Sequence, residues 1–532
     1  MAQKPAFNRY IQHHADMSSL SLIIVYTPQL ARHSAGPKGR AGGWIMRWLA
    51  TVFIALMAAL GTVAPTSAQS EQGPGSVLAP VVKQLPITPL GMYAIVSIGG
   101  AAIAPMVDTI ILGRELTPNE FYRLELSIFL GPVGWWLGNR YFPDVAGGGN
   151  SPAHGGNINL PPASQTHFVS NEVLVEFKAG TSSQYLNRLA RSLGLTPLET
   201  QTFALTGRTL QRWRIDGSHS VASILRALSA YVRISAAQPN YLYLLQQGAP
   251  ALTRAQAPDD GSAPYMVAKL HLVEAHHIST GDNVLVAVID SKIDTSHPDL
   301  AGVVAAEFDA LGGPAPPHPH GTGIAGAIAA HSKLIGVAPK VKLLAARVFS
   351  GSGESAQGTS FNILRGLDWA AGNNARIVNM SFAGPNDTMI RNMIAKASAR
   401  GMVLVAAVGN AGPRSAPLYP AAYTGVIGVT ATDAMDNLLP QANRGRQVAV
   451  AAPGVDVLVP APDANYQVIT GTSVAAANAS GVAALLLARN PALSPVAVKN
   501  ILTSTAHSLS RPTRDVGAGE IDALAALRAL TK

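Results

Sequence analysis

Four apolar runs in the last 270 residues constrain this chain most, because each ends abruptly in a polar residue, a glycine or a proline. They are Val284–Asp290 (VLVAVID), Ile377–Ser381 (IVNMS), Met402–Asn410 (MVLVAAVGN) and Val448–Pro453 (VAVAAP). Unbroken Val/Ile/Ala runs of this length read as strands buried on both faces of a parallel sheet. Helix-length apolar segments lie between them, among them Phe361–Ala371 and Met389–Arg400. The alternation predicts an α/β domain with a mainly parallel sheet, and such sheets place their sites beyond the carboxyl ends of the strands. Asp290 and Asn410 stand at two of those ends.

Two further residues fit the same layout. His320 opens a run crowded with Gly and Ala (HGTGIAGAIAAH), and Ser473 opens another (SVAAANASGVAALLLARN) preceded by Gly471 and Thr472. A hydroxyl at the N-terminus of a buried helix sees the positive end of the dipole and free backbone N–H groups, both suited to a developing oxyanion. It needs an imidazole to take its proton and a carboxylate to hold that imidazole in one tautomer. Singly, each residue has a plainer reading: a turn-forming Asp, an exposed His, an N-capping Ser. Only the set points to nucleophilic catalysis.

The motifs AVIDSKIDTSHPDL, HGTGIAG with GVAP, IVNMSFAGP, VAAVGNAG with YPAAYTGVIGVTATD, VAAPGV and GTSVAAANASG follow one another from Val284 to Gly481. In order and spacing this resembles the subtilisin-like serine peptidases (subtilases). The order Asp, His, Ser is that family's and separates it from the α/β-hydrolases. The resemblance implies a three-layer subtilisin-like fold and a serine endopeptidase, with Asp290 orienting, His320 as general base then acid, Ser473 as nucleophile and Asn410 as oxyanion donor. It implies further that Ser381, Phe382 and Ala383 form an edge that pairs with the substrate backbone, opposite a second edge near Ser355–Thr359. Ala406, Ala407 and Ala411 fall where the family builds its primary side-chain pocket, leaving room for a sizeable apolar residue. His318, two residues before His320 and not followed by Gly-Thr, is a decoy.

Departures from the pattern carry expectations of their own. Lys292, two residues past Asp290, stands where many members have Gly and is expected to alter the field at the site. Gly323 replaces a second His, and Ala477, Asn478 and Ala479 replace Pro-His-Val. The stretch Ala330–Gly336 is shorter than the loop that supplies strong calcium binding in secreted bacterial members, so Asp299 lacks its usual partners. The expectation is no cofactor and at most a weak calcium site.

Upstream, Met46–Ser70 has a positive charge, an apolar stretch and small residues ending at Thr66-Ser67-Ala68, the order of a secretory signal peptide. Residues 46–68 are therefore expected to direct export to the periplasm or the extracellular space, with residues 1–45 an extended leader or a mis-set start. Leu90–Met106 and Leu126–Gly138 make residues 69–142 a pair of apolar segments: a membrane hairpin, a surface-lying anchor, or helices packed on protein. Residues 143–167, dense in Gly, Pro, Asn and Ser, read as a linker.

Residues 168–246 read as a small α+β unit on the β-α-β-β-α-β plan, with strands at Glu172–Phe177, Thr209–Ile215 and Val232–Leu245 and helices at Ser182–Leu193 and Val221–Leu228. Directly before a subtilase domain at 265–532, this unit resembles the family's inhibitory propeptide. The Pro-rich linker 247–264 is where maturation cleavage is expected. The expected partners are a protein or peptide substrate, the chain's own prodomain as inhibitor and, through residues 69–142, a membrane.

Composition closes off other classes. The net charge of +9 owes much to residues 1–47, where six Lys/Arg face one acid, and no block of like charge or basic-aromatic run suggests nucleic acid. No cysteine is present, which excludes disulfides, thiolate metal sites and cysteine nucleophiles. A second reading, a catalytically silent subtilase fold serving as a scaffold at the membrane, and a third, a protease limited to self-processing, remain open at this point.

Overall fold

The computed structural model describes residues 157–217, 219–246, 264–351 and 356–531, with the backbone of 254–255. The leader, the signal peptide, the apolar segments, most of both linkers and Ser355 lie outside the described residues. All described residues belong to one compact unit.

The N-terminal part runs β1 (Asn157–Ile158), β2 (Phe168–Phe177), α1 (Ser183–Ser192), β3 (Leu195–Phe203), β4 (Arg208–Ile215), α2 (Val221–Leu228) and β5 (Ile234–Leu245). Sheet order β5-β2-β4-β3 is the ferredoxin-like arrangement. Both helices begin on serine caps: Ser182 accepts from Tyr185 N and Ser220 from Ser223 N. Their apolar stripes close a core of Val173, Val175, Leu189, Trp213, Leu225 and Ile234. Strand β3 escapes a reading by hydrophobic pattern. Its sequence, LTPLETQTF, is mostly polar and largely exposed, and β4 alone holds it at the sheet edge.

A two-residue strand β6 (Arg254–Ala255) follows, then α3 (Tyr265–Lys269) and α4 (Leu272–His276), which open the second part. Its frame is β7 (Leu285–Asp290), β8 (Val304–Asp309), α5 (Pro319–Ala329), β9 (Lys342–Arg347), β10 (Phe349–Ser350), β11 (Gln357–Thr359) and α6 (Ser360–Gly372). After these come β12 (Ile377–Met380), β13 (Phe382–Ala383), α7 (Thr388–Ala399), β14 (Val403–Ala407), β15 (Val426–Thr432), β16 (Val448–Pro453), β17 (Val457–Ala461), β18 (Asn465–Ile469) and α8 (Thr472–Arg489).

Seven strands in the order β16-β15-β14-β12-β7-β9-β8 make one sheet, and every pairing in it is parallel. Both faces are covered, which explains the unbroken apolar runs. Along β7, Val286 and Val288 enter the core built with α5 and α8, whereas Ala287 and Ile289 enter the core built with α6 and α7. This is the three-layer α/β architecture expected. Strand β9 (KLLAAR) is a sheet member that hydrophobic periodicity alone does not separate from helix.

Small residues set how closely the layers approach. A Cβ on Gly326 would stand 2.1 Å from Pro460 Cδ, and one on Gly323 would stand 2.8 Å from Val459 Cγ2. The β17–β18 hairpin therefore presses on α5, and the second His that the resemblance implies at position 323 has little room here.

Candidate active site

Strand β7 ends on Asp290, which is fully buried. Its Oδ1 accepts from His320 Nδ1 at 2.8 Å, from the Ser291 amide at 2.7 Å and from the Ser291 hydroxyl at 3.0 Å. The carboxylate thus fixes Nδ1 as the protonated nitrogen and leaves the Nε2 lone pair free to accept a proton. Ser291 also accepts from Gly321 N at 3.0 Å, locking the end of β7 to the first turn of α5. His320 Nε2 is buried and without a hydrogen-bond partner among the described residues, so its bond to Ser473 is not made in this state.

His318 is the N-cap of α5: its Nδ1 accepts from His320 N at 3.2 Å. Burial holds its imidazole below the ordinary histidine range. Lys292 does not act as a bare charge. Its ammonium pairs with Glu307 on β8, which neutralises the field it was expected to exert.

Ser473 lies in the first turn of α8, behind Gly471. Asn410, just past β14, faces it through Thr472: Asn410 Oδ1 accepts from Thr472 Oγ1 at 2.8 Å and from Thr472 N at 3.2 Å. Two donors on Oδ1 leave Nδ2 aimed the other way. There Nδ2 donates to the backbone carbonyl of Gln246 at 2.8 Å. Gln246 O, Ser473 Oγ and Asn410 Nδ2 all stand within 3.2 Å of the point a Cβ on Gly471 would occupy.

Gln246 arrives there because β5 does not stop at its own sheet. Leu242–Leu244 pair antiparallel with β11, and Leu244 and Leu245 pair with Ala383 and Phe382 of β13. Gln246 N donates to Ser381 O at 3.1 Å. The edges expected at Ser381–Ala383 and at the described residues Ala356–Thr359 are therefore joined by a strand of this same chain. Tyr243 is fully buried, edge-on to Phe382 at 5.8 Å, and its hydroxyl donates to Pro385 O at 2.9 Å. Gly384 makes room for it, since a Cβ there would stand 2.4 Å from the ring.

Ala406 and Ala407 are fully buried at the end of β14. The side chain that enters beside Asn410 is polar: Gln246 Oε1 accepts from Asn410 N at 2.8 Å.

The N-terminal part also caps helices of the second part. Asn240 Oδ1 accepts from Phe361 N at 3.1 Å and Gln238 Oε1 from Met389 N at 3.3 Å, in the first turns of α6 and α7. Asp368 on α6 returns the contact, accepting from Leu205 N at 2.7 Å. Asp387, the N-cap of α7, is buried beneath this junction, and burial raises its carboxyl above the ordinary range.

Asp299, which the resemblance sets beside a calcium ion, is engaged here by the chain itself. Asp299 is buried with Oδ1 accepting from Lys333 N at 2.7 Å and Oδ2 from Leu334 N at 3.2 Å. Both oxygens thus accept a backbone N–H bond. Among the described residues no group of three or more His, Asp or Glu could hold a metal.

Sequence reasoning did not single out Gln246, Thr472 or Ser291. The last two adjoin residues it did name, and adjacency was the available signal. Asn478 donates to Pro453 O at 2.8 Å, tying α8 to β16.

Comparison with known proteins accords with this geometry. Residues 281–519 match the model of the subtilase family, and residues 157–240 match that of the fervidolysin N-terminal prodomain. Subtilisin DY from Bacillus licheniformis is 39% identical over 244 residues, covering 43% of this chain and 85% of that protein. Subtilisin Savinase from Lederbergia lenta is 36% identical over 277 residues, covering 50% of this chain and 99% of that one. The crystal structure of fervidolysin from Fervidobacterium pennivorans shares the fold at a TM-score of 0.59 and 22% identity; 71% of this chain covers 64% of that one. With its sheet, its buried Asp–His pair and these relatives, the chain belongs to the subtilase family of serine-type endopeptidases, and it carries its own inhibitory prodomain.

Proposed function

We propose that Ser473 is the nucleophile, His320 the general base then acid, Asp290 the orienting carboxylate and Asn410 an oxyanion donor, and that the first bond this protease cuts is its own Gln246–Gln247. The observation that carries the reading is the Gln246 carbonyl, held at 2.8 Å by the Asn410 side-chain amide while its N–H is held by Ser381 O. A residue held at both its N–H and its carbonyl oxygen, close to a hydroxyl at the same glycine, is positioned for attack on that carbonyl.

Ser473 Oγ adds to the Gln246 carbonyl carbon and its proton passes to His320 Nε2. The C–N bond breaks, and the imidazolium returns that proton to the Gln247 nitrogen. Water, deprotonated by the same imidazole, then releases the acyl group. The bond lies at the N-terminal boundary of the 247–264 linker rather than inside it. Ser381, Phe382 and Ala383 hold the substrate backbone, and the small side chains of Ala406 and Ala407 leave space beneath the seated residue. Export rests on the signal-like order of residues 46–68, and the satisfied Asp299 supports catalysis and stability without a tight calcium site.

The test is mass spectrometry of the full chain after folding, with fluorophosphonate labelling of the same sample. Wild type should yield a fragment beginning at Gln247 and take the label, and Ser473→Ala should do neither. A folded wild type that stays intact and unlabelled would instead support the scaffold reading. Digestion of a peptide library distinguishes a general protease from one restricted to itself.

A further inference from the structure

We infer that the Ser381 hydroxyl is a positioning group that sets the spacing between nucleophile and substrate backbone, and that Asn379 and Ser480 fix its direction. Ser381 touches both reacting partners: its carbonyl accepts the N–H of Gln246 at 3.1 Å, and its hydroxyl donates to the carbonyl of Ser473 at 2.8 Å. One residue thereby ties the strand bearing the scissile carbonyl to the helical turn bearing the nucleophile.

A hydroxyl has a single proton, so something must aim it. Asn379, the third residue of β12, donates from Nδ2 to Ser381 Oγ at 2.9 Å, which occupies a lone pair and leaves the Ser381 proton for Ser473 O. Asn379 itself is held in that orientation by Ser480, in the middle of α8, whose hydroxyl donates to Asn379 Oδ1 at 3.0 Å. With the amide turned over, Oδ1 would take the Ser381 proton and Ser473 O would lose its donor. Ser480 can also bond Ala476 O at 2.9 Å, so its proton is shared between two acceptors and its hold on Asn379 is the weaker link.

Ser480, Asn379 and Ser381 are fully buried and Ser473 nearly so, which keeps water from replacing any member of the chain. The chain is independent of the Asp290–His320 pair and approaches Ser473 from the strand that receives substrate. The inference rests on Ser473 being the nucleophile.

The experiment is steady-state kinetics of the processed enzyme, freed of its cleaved prodomain, on a quenched peptide spanning Tyr241–Pro250, with thermal melting of each variant. Ser381→Ala keeps the backbone carbonyl that holds substrate and loses the tether on the nucleophile. Its kcat should fall about tenfold with KM within about twofold, the effect of roughly one hydrogen bond on the barrier. Ser480→Ala should lower kcat about threefold at unchanged KM; alanine suits the middle of a helix, so this variant keeps the test alive if Ser381→Ala fails to fold. A Ser381→Ala enzyme with kcat within about twofold of wild type, or one whose loss lies wholly in KM, overturns the inference. So does Ser480→Ala with unaltered kcat, as regards Asn379 and Ser480. An unlabelled wild type would sink the nucleophile assignment instead, so the two failures can be told apart.

Discussion

Gly471→Ala should separate the proposed catalysis from folding, because three of the atoms assigned to it meet at this glycine. An added Cβ would stand 2.4 Å from Gln246 O, 3.1 Å from Ser473 Oγ and 3.2 Å from Asn410 Nδ2. The last two contacts relax with shifts of a few tenths of an ångström, so the protease part should fold. The first does not, because carbon and oxygen do not sit that close, and the carbonyl must retreat by about 0.6 Å or more to reach tolerable contact. That retreat stretches its 2.8 Å bond to Asn410 and moves the carbonyl carbon off the line of attack. Displacements approaching 1 Å at a reacting centre cost on the order of 100-fold, so self-cleavage should slow by about that factor. The assay follows the fragment beginning at Gln247 by mass spectrometry after dilution from denaturant, alongside thermal melting. Gly471→Ala should melt within about 4 °C of wild type and process about 100-fold more slowly. A folded variant that processes within about threefold of wild type would refute the placement of the scissile carbonyl at this glycine.

Other outcomes follow from the same geometry. Asn410→Ala should lower kcat about 10²–10³-fold with KM little changed, a range measured on a relative, subtilisin, and carried over rather than derived from this structure. Tyr243→Ala removes a fully buried aromatic ring and should weaken the hold of the cleaved prodomain by about 3–5 kcal/mol, read as its loss from the processed complex on size-exclusion chromatography; co-elution at micromolar concentration would contradict this. Burial raises the Glu520 carboxyl from near 4.5 to about 7, against the pull of Lys269 at 3.7 Å. Its proton therefore favours the folded state, and stability present below the unfolded value is lost as pH rises toward 7. Glu520→Gln should flatten the melting temperature between pH 5 and 7 and remove a slope worth about 2–3 kcal/mol; an unchanged slope would place the titration elsewhere. Chelator or added calcium should leave melting unaltered, since the Asp299 oxygens already face the Lys333 and Leu334 amides.

Much of the fold was legible because its signals are local. Strands buried on two faces write themselves as Val/Ile/Ala runs, and helices pressed against backbone as runs of Gly and Ala. The residues proposed for catalysis fall at the ends of those runs, so strand ends and motif order pointed to Asp290, His320, Asn410 and Ser473 together. Relations between distant segments were not legible. Nothing in the sequence near Gln246 signals a bond to Asn410, 164 positions away. Lys292 looked like a free charge because Glu307 lies on β8, which β9 separates from β7 in the sheet, so only the fold shows that the two meet. Asp299 looked abandoned because its partners are main-chain amides, which carry no residue identity. Strand β3 was invisible for a different reason: an exposed edge needs no apolar alternation.

Strand β5 is continuous through two sheets, pairing with β2 upstream and with β11 and β13 downstream. The proposed cut after Gln246 would sever the chain without breaking any of those pairings, so the newborn enzyme should stay latent with its groove filled by its own product. Such a first cut is unimolecular and should run at the same rate at any dilution. Clearing the groove is different, because an already vacated molecule can digest the occupants of its neighbours. Activity in a population should therefore appear after a lag that shortens as concentration rises, then spread in an autocatalytic wave.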